Sequence, residues 1–159
     1  GIMSDCQLKK AREIAYRMLA GKARTEKQVR DRLQQKGIAP EAAEAVIREL
    51  LELGYVDDRK FAREYIAWRL EGKPLGPCRM RAALLAAGVE RKVADEELAA
   101  VFTSGVEDEQ ADRCLSRLLT GKGRDGRKLL KSLLNRGFSM PAAKRALSRL
   151  GIAWQDGDE

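Results

Sequence analysis

The sequence predicts an all-α protein of three tandem three-helix repeats forming an elongated, curved rod. Three observations carry this: a helix-forming composition, a self-similar period of about fifty residues, and glycine corners at matching positions. Aromatic residues make up only 5% of the chain, while 44% is hydrophobic and Ala, Leu, Glu, Lys and Arg dominate. Such residues lose little rotamer freedom in a helix and are poor strand formers. No segment alternates with period two for long, so strands are not needed.

The segments 28–39, 79–90 and 128–139 superpose without gaps on Gly37, Gly88 and Gly137, at offsets of 51 and 49 residues. Eight residues before each glycine stand Val29, Met80 and Leu129; four before stand Leu33, Leu84 and Leu133; one after stand Ile38, Val89 and Phe138. That spacing is one apolar helix stripe written three times. The first helix, over 6–20, stops at Gly21-Lys22, and its counterparts stop at Gly72-Lys73 and Gly121-Lys122. Thr25 with Gln28 forms a capping-box pattern opening the second helix over 25–36, which Gly37 closes. Pro40 suits the first turn of the third, over 40–53, whose buried face carries Ile47 and Leu50. The fourth, 58–71, follows Asp57 as N-cap; the fifth, 77–87, starts on Pro77 and ends at Gly88; the sixth, 91–103, repeats the apolar pair as Leu98 and Val101. The seventh covers 107–120. The eighth, 126–136, is capped by Asp125 and stopped by Gly137, and the ninth, 140–149, has Pro141 in its first turn and Leu147 and Leu150 on its apolar face. The repeats therefore span 5–54, 55–104 and 105–153, with flexible ends at 1–4 and 154–159. A unit of this size buries little alone, so adjacent units are expected to pack end to end.

The formal net charge is +7, which favours a polyanion or an acidic protein groove without identifying either. The stretches 5–54, 55–104 and 105–159 carry +3, +1 and +3, and from Arg113 to Arg149 eleven basic residues face one acid, Asp125. Solvation of helix surfaces accounts for such residues as readily as binding does. The sequence has no histidine, which removes the commonest general base, zinc ligand and physiological pH switch together. Cys6, Cys78 and Cys114 are odd in number and far apart, so neither a disulfide framework nor a metal knuckle is indicated. A reducing cytoplasm fits best, and no apolar stretch approaches a membrane span.

Across the first joint, Leu53, Gly54, Tyr55, Val56, Asp57, Asp58, Phe61 and Ala62 form the run Leu-Gly-Tyr-(aliphatic)-Asp-Asp-x-x-Phe-Ala. This resembles the stretch that marks the RecX proteins, regulators of the RecA recombinase. The segment from Gly76 to Glu90 and the triplet Arg136-Gly137-Phe138 are similar to that family's second and third repeats, and the likeness runs from Ala11 to Ile152. The Ala82–Ala87 stretch departs from it, with fewer charges than the family pattern suggests. The resemblance implies a non-enzymatic, monomeric modulator without cofactor or metal. It would bind the RecA–DNA filament, with single- or double-stranded DNA as a further partner, and lower ATPase, strand-exchange and coprotease activities in DNA repair and the SOS response.

Asp57 reads as an N-cap, with Val56 and Phe61 as a hydrophobic staple and Asp58 complementing the helix dipole, so the acidic pair needs no metal. Phe61, Tyr65 and Trp68 recur at i, i+4 and i+7, which points to the core of the second repeat, with Tyr55 sealing the joint. Gly121, Gly123 and Gly126 satisfy G-x-G-x-x-G but follow a helix, and Arg127 stands where a phosphate-loop lysine would, so no nucleotide site is expected. The partner-binding candidates are the basic residues Lys73, Arg79 and Arg81 of the second repeat and Lys122, Arg124, Arg127, Lys128 and Lys131 of the third, which would pair with acidic groups or phosphates. An alternative is a helix-turn-helix-like DNA binder acting without recombinase, for which Arg30, Gln34 and Gln35 are the nearest approach to a reading helix. An enzyme would need lysine, carboxylate or cysteine chemistry, with Cys78 at a helix start its nearest nucleophile.

Overall fold

The structure, a computed structural model, describes residues 2–155, with side chains described from Asp5 onward except that of Lys122. Of the expected flexible ends, residues 1 and 156–159 lie outside the described residues. The described chain is all-α: α1 (Ile2–Gly21), α2 (Glu26–Gln35), α3 (Pro40–Glu52), α4 (Asp58–Glu71), α5 (Pro77–Ala87), α6 (Arg91–Val101), α7 (Val106–Lys122), α8 (Gly126–Asn135) and α9 (Met140–Arg149). These are three groups of three, with α1 beginning four residues before the expected start.

Two compact units share them, residues 1–63 with 84–93 and residues 64–83 with 94–159, so α4, α5 and α6 each contribute to both. In the first, α1, α2 and α3 pack mutually around Ala11, Ala15, Val29, Leu33, Val46, Ile47 and Leu50. In the second, α7, α8 and α9 do the same around Ala111, Leu115, Leu129, Leu133, Ala146 and Leu147. Burying each such Leu, Ile or Val stabilises the fold by about 1.5–3 kcal/mol.

The three corner glycines end their helices alike. The amides of Ile38, Val89 and Phe138 donate back to the carbonyls of Leu33, Leu84 and Leu133 at 3.0, 3.0 and 3.2 Å, and each of those apolar residues is buried. That six-to-one bond with its apolar follower is the Schellman stop. Gly88 and Gly137 adopt φ +103° and +94°, and a side chain on either would strike a neighbour: Lys27 at Gly88, Arg79 at Gly137. These corners are therefore glycine for two reasons, handedness and closeness.

The closeness reflects one kind of joint, present once in each unit. In the second unit the Gly76 amide donates to Arg136 O at 2.8 Å and the Cys78 amide to Gly137 O at 3.2 Å, so amides at the start of α5 are satisfied by carbonyls past the end of α8. In the first unit the Thr25 hydroxyl, at the start of α2, donates to Ala87 O at the end of α5. Joining a helix's positive start to another's negative end settles two sets of orphan backbone groups together.

Candidate interaction face

Thr25 and Gln28 form the expected capping box, with bonds of 3.0 and 3.1 Å. Asp125 caps α8 by accepting from the Arg127 and Lys128 amides at 3.1 and 3.3 Å.

The candidate cations fall into two sets. Arg79 donates to Asn135 O at 2.9 Å and lies beneath the Gly137 corner, so it buttresses the α5–α8 joint. Arg81 holds Asp95 at 2.6 Å, and that hydrogen bond raises its already high pKa. Lys73, Arg127, Lys128 and Lys131 are exposed, the last three on α8 with Arg127 and Lys131 one turn apart. Arg124 is exposed beside them and reaches Leu150 O at 3.3 Å. The side chain of Lys122 lies outside the described residues.

Around the joint motif, Asp57 accepts from the Lys60 amide at 3.1 Å, the expected N-cap. Ala62 is buried and Phe61 half-buried, while Gly54 (φ +76°) ends the preceding helix. Asp58 does more than complement its own helix: its Oδ1 accepts from the Glu26 amide at 2.9 Å and caps α2. Burial raises the Asp58 pKa above the ordinary carboxylate value; the Glu26 amide opposes this rise, and the charges of Asp57 and Glu90 add to it.

Two aromatic expectations need correction. Trp68 is 63% exposed and so is not core, Phe61 and Tyr65 are only half-buried, and Tyr55, expected to seal the joint, is 57% exposed. Trp68 instead takes the Arg69 guanidinium over its ring at 5.0 Å, and Tyr55 meets Tyr16 edge-on at 6.0 Å. Ile66, fully buried, takes the core position on α4, and the helix's phase turns Trp68 outward.

The sequence reading missed a second group of cations. Arg17, Arg24, Arg32 and Lys36 line a cavity of about 400 Å3 in the first unit. Their signal was the repeat itself, because Arg117, Arg124 and Arg136 stand at three of the equivalent positions one hundred residues on.

Among the described residues no group of three or more His, Cys, Asp or Glu is placed to hold a metal ion, and no helix is long and apolar enough to cross a membrane. Cys114 is buried and its thiol pKa is pushed up by desolvation, against the pull of Arg136 and Arg117.

Two family models match in tandem: RecX, first three-helix domain, over residues 11–50, and RecX, second three-helix domain, over residues 57–98. The regulatory protein RecX of Prosthecochloris aestuarii is 31% identical over 155 residues, covering 93% of this chain and 98% of that protein. The regulatory protein RecX of Leuconostoc citreum is 31% identical over 156 residues, of which this chain spans only 58% of the length. The crystal structure of RecX from Lactobacillus salivarius superposes with a TM-score of 0.81 at 21% identity, covering 94% of this chain and 99% of that one.

Proposed function

The chain belongs to the RecX family, and on that premise we propose that it is a non-enzymatic regulator that binds the RecA–DNA filament in the bacterial cytoplasm and lowers its ATPase, strand-exchange and coprotease activities. The observation that carries the reading is the pair of family matches in tandem order, spanning the first two three-helix groups. The three-repeat organisation, 5–54, 55–104 and 105–153, supports a protein built from surface and joints, without a catalytic centre.

For the contact we propose the exposed cations of α8 and its leading loop, Arg124, Arg127, Lys128 and Lys131, with Lys122, and Lys73 of the second repeat. Arg79 and Arg81 donate to Asn135 O and Asp95, as Arg124 does to Leu150 O. Pairing of these cations with acidic side chains or phosphates makes the complex salt-sensitive.

Co-sedimentation with preformed RecA filaments across a salt series tests this. The combined Arg127→Gln, Lys128→Gln and Lys131→Gln variant is expected to lose at least tenfold in affinity and to show a shallower salt dependence. Unchanged sedimentation of that variant would remove the α8 face from the interface, and absence of wild-type sedimentation on RecA filaments, with tight binding to naked duplex, would favour direct DNA binding instead.

A further inference from the structure

The cavity in the first unit lies against α1, the loop after it and α2. Arg17, Arg24, Arg32 and Lys36 supply its polar lining, Ile14 and Met18 its apolar part, and no carboxylate lines it. None of the four cations makes a side-chain hydrogen bond or ion pair among the described residues, and Arg24 Nε is buried without an acceptor.

Two other arginines of the same unit are paired with carboxylates. Arg12 holds Glu49 through two bonds of 2.9 and 3.0 Å, and Arg30 holds Glu44 through bonds of 2.6 and 3.1 Å. Four like charges around one cavity repel each other, and an unmet buried N–H adds its desolvation cost. One multivalent oxyanion removes both penalties.

The other repeats mark this set as particular to the first. In the second, the equivalent positions hold Trp68, Leu75, Ala83 and Ala87. In the third, Arg117, Arg124 and Arg136 recur, but Arg124 and Arg136 donate to the carbonyls of Leu150 and Ser132.

We propose that this cavity is a binding site for a phosphate-bearing ligand, held by Arg17, Arg24, Arg32 and Lys36. Guanidinium forks match phosphate oxygens bidentately. Four unpaired cations suit a pyrophosphate group or two successive phosphates better than a single carboxylate. A free polyphosphate compound and the backbone of a nucleic-acid strand present the same chemistry. The proposal does not rest on the filament reading, since it uses none of the α8 residues.

Isothermal titration calorimetry on the full chain tests it with inorganic pyrophosphate, a single-stranded oligonucleotide and a glutamate-rich peptide in turn, on wild type, Arg17→Gln, Arg24→Gln and the exposed control Lys10→Gln. Pyrophosphate binding is expected, weakened at least tenfold by Arg17→Gln and by Arg24→Gln and kept by Lys10→Gln. The unliganded Tm of Arg24→Gln should match or exceed that of wild type, which separates lost binding from lost folding. Oligonucleotide binding that falls with the same variants assigns the phosphate to a strand; oligonucleotide binding indifferent to them assigns it to a free compound. Absence of pyrophosphate binding, pyrophosphate binding indifferent to both variants, or binding of the acidic peptide alone overturns the proposal.

Discussion

Three bonds converge on Thr25: its hydroxyl accepts from the Gln28 amide and donates to Ala87 O, while its own amide donates to Gln28 Oε1. Replacing the hydroxyl with a methyl group keeps the shape and removes both hydroxyl bonds, so Thr25→Val should cost about 1–2 kcal/mol in urea unfolding. Asp58 works with the opposite sign. Its raised pKa means the folded chain holds the proton more tightly than the unfolded one, so this contribution is present below the ordinary carboxylate value and lost as pH rises through the raised one. Asp58→Asn keeps an acceptor for the Glu26 amide and removes the titration; its stability relative to wild type should therefore improve from about pH 4 to about pH 7. A constant difference across that range would show that Asp58 does not carry the linkage. Glu44 and Glu49 behave conventionally: hydrogen bonds from Arg30 and Arg12 lower their pKa values, so their contribution is present above the unfolded value and lost as pH falls through the folded one. The capping duties of Thr25, Asp57 and Asp125 were legible because a cap is a local pattern. The second duty of Asp58, to α2, was not, because it depends on a contact 32 residues away.

At the scale of elements, the helix ends carry the specificity. Gly76 lies so close to the backbone of Gly137 and Phe138 that an added Cβ would meet main-chain atoms with no freedom to move aside. Gly76→Ala should therefore destabilise by roughly 2 kcal/mol or more, whereas Gly21→Ala, with nothing within 4 Å, should lie within about 0.5 kcal/mol of wild type in the same thermal or urea series. Equal effects would mean that the α5–α8 joint tolerates separation. The start of α8 is covered differently: Gly126 packs against the backbone of Ala153 and Trp154, and Ile152 and Trp154 join the core of the second unit. The nine helices of the described residues and their corners were readable because glycines and apolar positions recur at offsets of 51 and 49. Periodicity did not place Trp68, since i, i+4, i+7 spacing on α4 could not separate its outer edge from the stripe occupied by Ala62 and Ile66. Ion pairs show what the repeat leaves free: Arg12 with Glu49 and Asp112 with Arg149 occupy equivalent places with the charges exchanged. Geometry is repeated there while sign is not, so summed charge did not reveal which cations are engaged.

For the whole molecule, the family likeness covers the first two helix groups by model, and the third follows from internal repetition. Net charge pointed to an anionic partner. The structure shows which cations are tied to carboxylates, such as Arg81, Arg145 and Arg149, and which basic side chains line the exposed stripe of α8. That division needs coordinates, because a carboxylate partner 14 or 37 residues away leaves no local trace in sequence. The proposed restraint of a recombinase filament is read by single-stranded-DNA-dependent ATP hydrolysis of purified RecA as the protein is titrated in. Hydrolysis is expected to fall at stoichiometric or lower ratios, and raised salt or the triple α8 variant is expected to relieve the inhibition. Hydrolysis unchanged up to a large excess of the protein would contradict the proposal.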